Sequence, residues 1–184
     1  MNKFLTLTAT ALLSSAALIS PASAATFLLT YSSPNTPASG SIYITTTDMP
    51  NSVGSYDVLT AKGKIDGVDI TGLIPNPNPP AQATSADGLF FYDNAFAGAA
   101  TPHVTNAGLY FGVAGGQFNL FSNSPTEYAL YSAANGVYGA NSTGTLSVEA
   151  VPEPATWGMM LVGFGLVGFG LRSHRNQPVR VTYA

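Results

Sequence analysis

The 184-residue chain contains no cysteine, which excludes disulfide bonds, thiolate catalysis and cysteine-ligated zinc or iron–sulfur centres. Its two histidines are isolated in the sequence, so no spacing suggests a two-histidine metal site. Charged residues make up only 8% of the chain, against about 25% in typical globular proteins. Hydroxyl and amide groups must therefore cover much of the surface, and we expect neither a cofactor nor a bound metal.

Positive charge is especially scarce in the central part of the chain. Between Ala25 and Val151 the bases are Lys62 and Lys64, and the more numerous acids bring the formal net charge of this segment to about −6. A surface of this sign cannot neutralise phosphates, so we expect neither nucleic acid nor an anionic membrane surface as a partner.

The first 24 residues have the three parts of a secretory signal peptide. Lys3 supplies a positive start, an apolar stretch follows, and a helix-breaking Pro21 precedes two small residues, Ala22 and Ala24. This A-x-A spacing is what a signal peptidase requires. We therefore predict cleavage after Ala24 and export of a mature chain that begins near Ala25.

A second apolar segment lies near the other end of the sequence. Residues 155–171 carry no charge, and their number is about the lower limit of 17 for a transmembrane helix. Trp157 suits one membrane interface, whereas Arg172 and Arg175 suit the cytoplasmic side under the positive-inside rule. The pattern therefore predicts a transmembrane helix over 157–171, which would place residues beyond it in the cytoplasm.

The segment from Val151 to Arg175 resembles the PEP-CTERM sorting signal, in its variant with tryptophan three residues after the second proline. The resemblance is carried by Pro152, Glu153, Pro154, Trp157, Met159, Met160, Gly163, Phe164, Gly165 and Arg172. Arg175 belongs with Arg172 to the short basic cluster that follows the apolar stretch. Gly158 departs from the alanine that is usual there, and the basic cluster is thin. The resemblance implies a Gram-negative, exopolysaccharide-producing source and recognition by an integral-membrane exosortase, a protease or transpeptidase, during export to the surface.

The prolines of this motif also have a direct physical effect. Pro154 restricts Glu153 to extended geometry, and Pro152 does the same to Val151. A processing enzyme can bind an extended backbone segment that lies beside an apolar helix. The alternative interpretation is an ordinary linker before a plain membrane anchor.

Residues 25–150 show short apolar runs broken by glycine, proline and asparagine, with no sustained helical period. Asp66-Gly67 between two such runs is a type I′ hairpin signal, and Ala114-Gly115-Gly116 is a second connection of hairpin length. In the strand from Ser39, Ile42 and Ile44 share one face. About nine strands at this spacing predict an all-β domain, either an antiparallel β-sandwich or a flattened barrel, flanked by the signal helix and the transmembrane helix. We favour the antiparallel β-sandwich, in a jelly-roll-like arrangement.

Three polar residues in this domain could support chemistry. Asp87, Asp93 and His103 could together serve acid–base catalysis or hold a cation. Asp87-Gly88 and Asp93-Asn94 are also turn-forming pairs, and His103 follows a proline, so we favour a structural role in loops.

The tyrosines near the end of the domain admit two interpretations. Tyr128, Tyr131 and Tyr138 could stack on sugar rings. They could equally form the cross-strand pairs of a half-buried sheet, and we favour that second interpretation.

The sequence thus divides into a signal peptide (1–24), a β-domain (25–150), a sorting segment (151–175) and a cytoplasmic tail (176–184). We expect an exported, non-enzymatic protein of the cell surface or extracellular matrix. The expected partners are signal peptidase, an exosortase, the membrane through the C-terminal helix, and exopolysaccharide as a candidate. The alternatives are a secreted carbohydrate-binding or carbohydrate-active protein that uses Asp87 and Asp93, and an unprocessed single-pass membrane protein.

Overall fold

The structure is a computed structural model that describes residues 24–36, 38–152 and 154–174. Most of the predicted signal peptide, with Ala22, lies outside the described residues, and so do Glu153, Arg175 and the 176–184 tail. The described elements, in chain order, are β1 (Thr26–Ser32), β2 (Ser39–Thr46), β3 (Tyr56–Ile65), β4 (Val68–Leu73), β5 (Ala83–Thr84), β6 (Phe91–Tyr92), β7 (Ala95–Phe96), β8 (Leu109–Val113), β9 (Gly116–Ser122), β10 (Tyr128–Ala134), β11 (Val137–Val151) and α1 (Pro154–His174).

Eight of these strands form a closed antiparallel barrel. The strand order around the barrel is β1, β2, β3, β4, β8, β9, β10 and β11. Neighbours in the barrel are therefore consecutive in the chain, except that β4 pairs with β8 and the segment between them, here called the excursion, lies outside this order. Closure comes from β1, which pairs with β2 on one side and with β11 on the other. The register of that last pair runs from Thr26 opposite Val151 to Ser32 opposite Thr145.

The predicted β-sandwich is therefore wrong. A sandwich and a barrel of consecutive antiparallel strands share the same short strands, spacing and turn residues. They differ in whether the first and last strands pair, and local patterning carries no information about a contact between residues such as Leu29 and Val148.

Side-chain alternation builds the barrel interior. Ile42 and Ile44 point inwards and are fully buried, as the period-two pattern predicted, while Tyr43 between them is exposed. The interior is filled by Leu29, Tyr31, Ile42, Ile44, Val58, Ala61, Ile65, Ile70, Phe96, Val104, Leu109, Phe111, Leu120, Tyr128, Leu130 and Leu146.

The two ends of the barrel are built differently. One end, here called the hairpin end, carries the connections at 33–38, 66–67, 114–115 and 135–136. The Asp66-Gly67 turn is confirmed: both residues have positive φ, 51° and 77°, as a type I′ turn requires, and Ile65 pairs with Val68. At the other end, here called the terminal end, β1 begins at Thr26 and β11 ends at Val151.

The long excursion between β4 and β8 closes the terminal end and covers part of the outer wall. Its β7 pairs with the start of β3, which carries Phe96 into the barrel, where its ring centroid lies 4.8 Å from that of Phe27. Upstream of β7, Phe90 and Tyr92 pack outside the barrel against Tyr110 of β8. The excursion thus adds a second apolar cluster without disturbing the strand order.

The helix α1 follows the barrel directly. Among the residues that the structure describes, no helix combines the length and the apolarity needed to cross a membrane. The transmembrane helix predicted over 157–171 is therefore wrong. One physical reason is apparent: recurrent glycines dilute the apolar content of the helix.

We predict that the Phe96 ring, which packs against Phe27 inside the terminal end of the barrel, contributes strongly to stability. Phe96→Ala should lower the free energy of unfolding by about 3–5 kcal/mol, because it removes a fully buried ring. The matched control is Phe91→Ala, because the Phe91 ring is 63% exposed. This substitution should change the free energy of unfolding by no more than about 0.5 kcal/mol. Urea denaturation of both variants measures this, and equal losses would contradict the placement of Phe96.

Candidate functional site

The predicted sorting segment begins where the barrel ends. Val151 is the last residue of β11 and is extended, as its position before Pro152 requires. Pro152 is exposed and lies outside the strand, and Pro154 is the first residue of α1. A proline fits the first turn of a helix because the N–H that it lacks would have no helical acceptor there. The two prolines therefore separate the strand ladder from the helix within three residues.

The described apolar side chains of α1 are exposed. Trp157 is 55% exposed and Phe164 is 68% exposed. A Cβ added to Gly163 or Gly165 would meet no atom within 4 Å. Arg172 is also exposed. These sorting-motif residues are thus accessible to a partner, and the folded barrel does not cover them.

Asp87 stabilises a turn on the outer wall. Its carboxylate accepts hydrogen bonds from the Ser85 hydroxyl (2.6 Å), from the Leu89 N–H (3.2 Å) and from the Gln117 side-chain amide. The hydrogen bond from Ser85 is the main cause that holds the pKa of Asp87 below its ordinary value. This pattern confirms the turn interpretation of Asp87-Gly88.

Asp93 is buried and holds two parts of the excursion together. One carboxylate oxygen accepts the Thr105 hydroxyl at 2.7 Å and the other accepts the Ala95 N–H at 3.1 Å. Burial raises the pKa of Asp93, and these two hydrogen bonds oppose that shift. The next residue, Asn94, has a φ of 55°, donates to the Ile74 carbonyl and accepts the Tyr110 N–H.

His103 does not join the two carboxylates in a reactive cluster. Its Nδ1 lies 3.0 Å from the Gly98 carbonyl, and its ring stacks on Tyr128 at 6.1 Å. Within the described ranges, no group of three or more histidine, aspartate or glutamate side chains is placed to hold a metal ion. The residues singled out for acid–base chemistry therefore have separate, structural partners.

The three tyrosines lie on different sides of the barrel wall. Tyr128 is 2% exposed and belongs to the interior. Tyr131 and Tyr138 lie outside, where their rings meet edge to face at 6.4 Å. A single stacking row is thus excluded, because alternate residues of a strand face opposite sides of the sheet.

An open cavity that the sequence did not indicate lies at the hairpin end, with a volume of about 500 Å³. Its lining includes Ser39, Asp66, Phe118, Leu130, Asn141 and Ser142. The Asp66 carboxylate accepts the Ser39 N–H at 2.9 Å, and the Ser142 hydroxyl lies 2.9 Å from that of the buried Tyr31. Five separate parts of the chain supply this lining, so no local motif could have indicated it.

Comparison with known families identifies the end of the chain. Residues 150–176 match the family model of the PEP-CTERM protein-sorting motif. This match confirms the resemblance found in the sequence and supports exosortase-dependent sorting of an exported protein, with export to the cell envelope or surface. Neither curated proteins nor solved structures give a match to the chain.

We predict that Asp93 makes stability depend on pH. Because burial raises its pKa in the folded state, its protonated form favours folding, and this contribution declines as the pH rises from the ordinary aspartate pKa of about 3.9 towards neutral. Asp93→Asn keeps an acceptor for the Ala95 N–H and cannot ionise. The variant should therefore gain stability relative to the wild type over that rise, measured by urea midpoints at successive pH values.

Asp87→Asn provides the control with the opposite sign. The pKa of Asp87 is lowered in the folded state, so its contribution is present above the ordinary pKa and is lost as the pH falls through the folded value. If the urea midpoints of the wild type and of Asp93→Asn changed in parallel with pH, the prediction for Asp93 would be contradicted.

Proposed function

Because the chain carries a PEP-CTERM sorting motif, we propose that it is an exported, non-enzymatic protein of the cell surface or extracellular matrix, released from its C-terminal segment by an exosortase. The match of residues 150–176, at the junction between β11 and α1, carries this proposal. Exposed side chains on both sides of the junction support access by a processing enzyme.

The layout of the barrel supports processing at both ends of the chain. β1 begins at Thr26, two residues after the predicted signal-peptide cleavage at Ala24, and β11 ends at Val151, one residue before the motif. Thr26 and Val151 are directly paired. Removal of the segments beyond them would leave every barrel strand intact, so processing need not reduce the stability of the domain.

The contacts of the two aspartates favour a non-enzymatic protein over a carbohydrate-active enzyme. Asp93 is 7% exposed, and both its oxygens already accept hydrogen bonds. Asp87 accepts three, from Ser85, Leu89 and Gln117. A substrate at Asp93 would have to displace partners that fold the excursion, and this would cost about 1–3 kcal/mol for each buried group left unsatisfied.

The decisive experiment follows the termini of the protein in its native host. We expect the mature wild-type protein to begin at Ala25, to lack residues 157–175 and to be found at the surface or in the medium. Pro152→Ala with Pro154→Ala should impair recognition, so that the chain retains its C-terminal segment and accumulates in the cell envelope. Cell fractionation with intact-mass analysis measures both properties.

Pro125→Ala is the matched control, since Pro125 is exposed in the turn between β9 and β10, away from the motif. It should be processed like the wild type. A surface or secreted wild-type species that still contains Trp157 to Arg175 would contradict processing, and equal sorting of the double-proline variant would contradict the role of the motif.

A further inference from the structure

We propose that the hairpin-end cavity is a binding site for a small neutral saccharide. This inference goes beyond the proposed function, because sorting at the C-terminus requires no ligand in the barrel. It rests on how the cavity forms, on the chemistry of its walls and on where its mouth opens.

The cavity exists because the barrel is filled unevenly. An eight-stranded barrel has an interior just wide enough to be filled by side chains or to hold one small ligand. At the terminal end the aromatic rings of Phe27, Phe96 and Tyr128 fill it. At the hairpin end small residues such as Ala38 and Ala140 line it, and a volume of about 500 Å³ remains. That volume is within the range of small-molecule sites, about 300–1,000 Å³.

Part of the cavity lining is apolar. Leu130 is 2% exposed and belongs to the barrel core. Phe118 is half-buried against that core and presents the aromatic surface of the cavity. A flat ring of this kind can pack against the C–H face of a pyranose while the sugar hydroxyls point away to polar partners.

The polar part of the lining supplies both donors and acceptors. Asp66 provides a carboxylate, which its hydrogen bond to the Ser39 N–H holds in place. Asn141 offers an amide with donor and acceptor atoms. The Thr36 hydroxyl donates to the Ser33 hydroxyl at 3.0 Å and the Ser142 hydroxyl pairs with that of Tyr31 at 2.9 Å, so each keeps a lone pair that can accept from a ligand. Sugar hydroxyls both donate and accept, so they match this mixed set.

The charge of the lining discriminates between ligand classes. Asp66 is the charged residue of the lining, and no lysine or arginine is among the described residues that form it, which disfavours anionic ligands. Ca²⁺ takes about six to eight oxygen ligands, several of them carboxylates, and the described lining supplies one carboxylate, so a metal cation is disfavoured as well. The chemistry therefore favours a neutral, polyhydroxylated ligand.

The position of the mouth suits a surface protein. The cavity opens at the hairpin end, whereas the chain enters and leaves the barrel at the opposite, terminal end, at Thr26 and Val151. A protein held or processed through its C-terminal segment would thus keep this opening turned away from that segment.

The test is a titration of the purified mature protein with a panel of neutral sugars: glucose, N-acetylglucosamine, cellobiose and maltose. Binding is followed by calorimetry and by chemical shifts of the Phe118 ring and the Thr36 methyl group. We expect saturable binding of at least one panel member. Asp66→Asn should weaken it about tenfold through loss of a charge-assisted hydrogen bond, and Phe118→Leu should weaken it about fivefold through loss of the aromatic face.

Matched controls separate the cavity from general surface effects. Asp69→Asn changes an exposed aspartate beyond the same hairpin, which pairs with Lys64 at 2.7 Å outside the cavity. Phe91→Leu changes an exposed aromatic ring on the outer wall. Both should bind the sugar within about twofold of the wild type, since neither touches the cavity and surface changes have small effects.

Three results would overturn the proposal: no saturable binding of any panel sugar, binding that Asp66→Asn and Phe118→Leu leave unchanged, or binding of n-butylamine in place of the sugars. Asn is well tolerated at the positive φ of position 66, so Asp66→Asn should keep the fold and decides the matter even if Phe118→Leu is unstable. Because the assay uses purified protein, its outcome is independent of whether sorting occurs as proposed.

Discussion

The pairing of the first barrel strand with the last is the constraint on which the rest of the structure depends. β1 joins β11 over seven consecutive residue pairs, from Thr26 with Val151 to Ser32 with Thr145. This contact removes both open edges of the sheet, which would otherwise expose unpaired backbone groups to association with other chains. It also brings the beginning and the end of the domain together at one end of the barrel, so the sorting segment starts from an anchored strand.

Barrel closure also explains how a protein with so little charge folds without disulfide bonds. The barrel encloses one continuous apolar interior, and polar side chains can pair locally outside it, as the hydroxyls of Thr45 and Thr60 do across β2 and β3 at 2.5 Å. Among the described residues, the one ion pair is Lys64 with Asp69, and both are well exposed, so it contributes about 1 kcal/mol at most. Burial and the strand ladder therefore supply most of the stability.

The predictions from the sequence succeeded where the signal was local. Asp66-Gly67 forms the predicted tight turn because both residues tolerate positive φ. Ile42 and Ile44 face inwards because side chains alternate along a strand. The fold prediction failed because it depended on distant contacts: strand spacing could not distinguish a sandwich from a barrel. The membrane-span prediction failed for a local reason, since the stretch over 157–171 is rich in glycine and its helix does not meet the requirements of a membrane span.

By itself, the sequence determined the sorting motif around Pro152, because proline geometry and the order of motif residues are properties of a short segment. It also determined the strand-rich character of the domain, since alternation and turn residues act over a few positions. Only the tertiary structure decided that the sheet closes, that Tyr128 lies inside while Tyr131 lies outside, and that Asp66, Phe118 and Ser142 surround one cavity. Those outcomes depend on pairing between residues far apart in the chain, which local patterns do not encode.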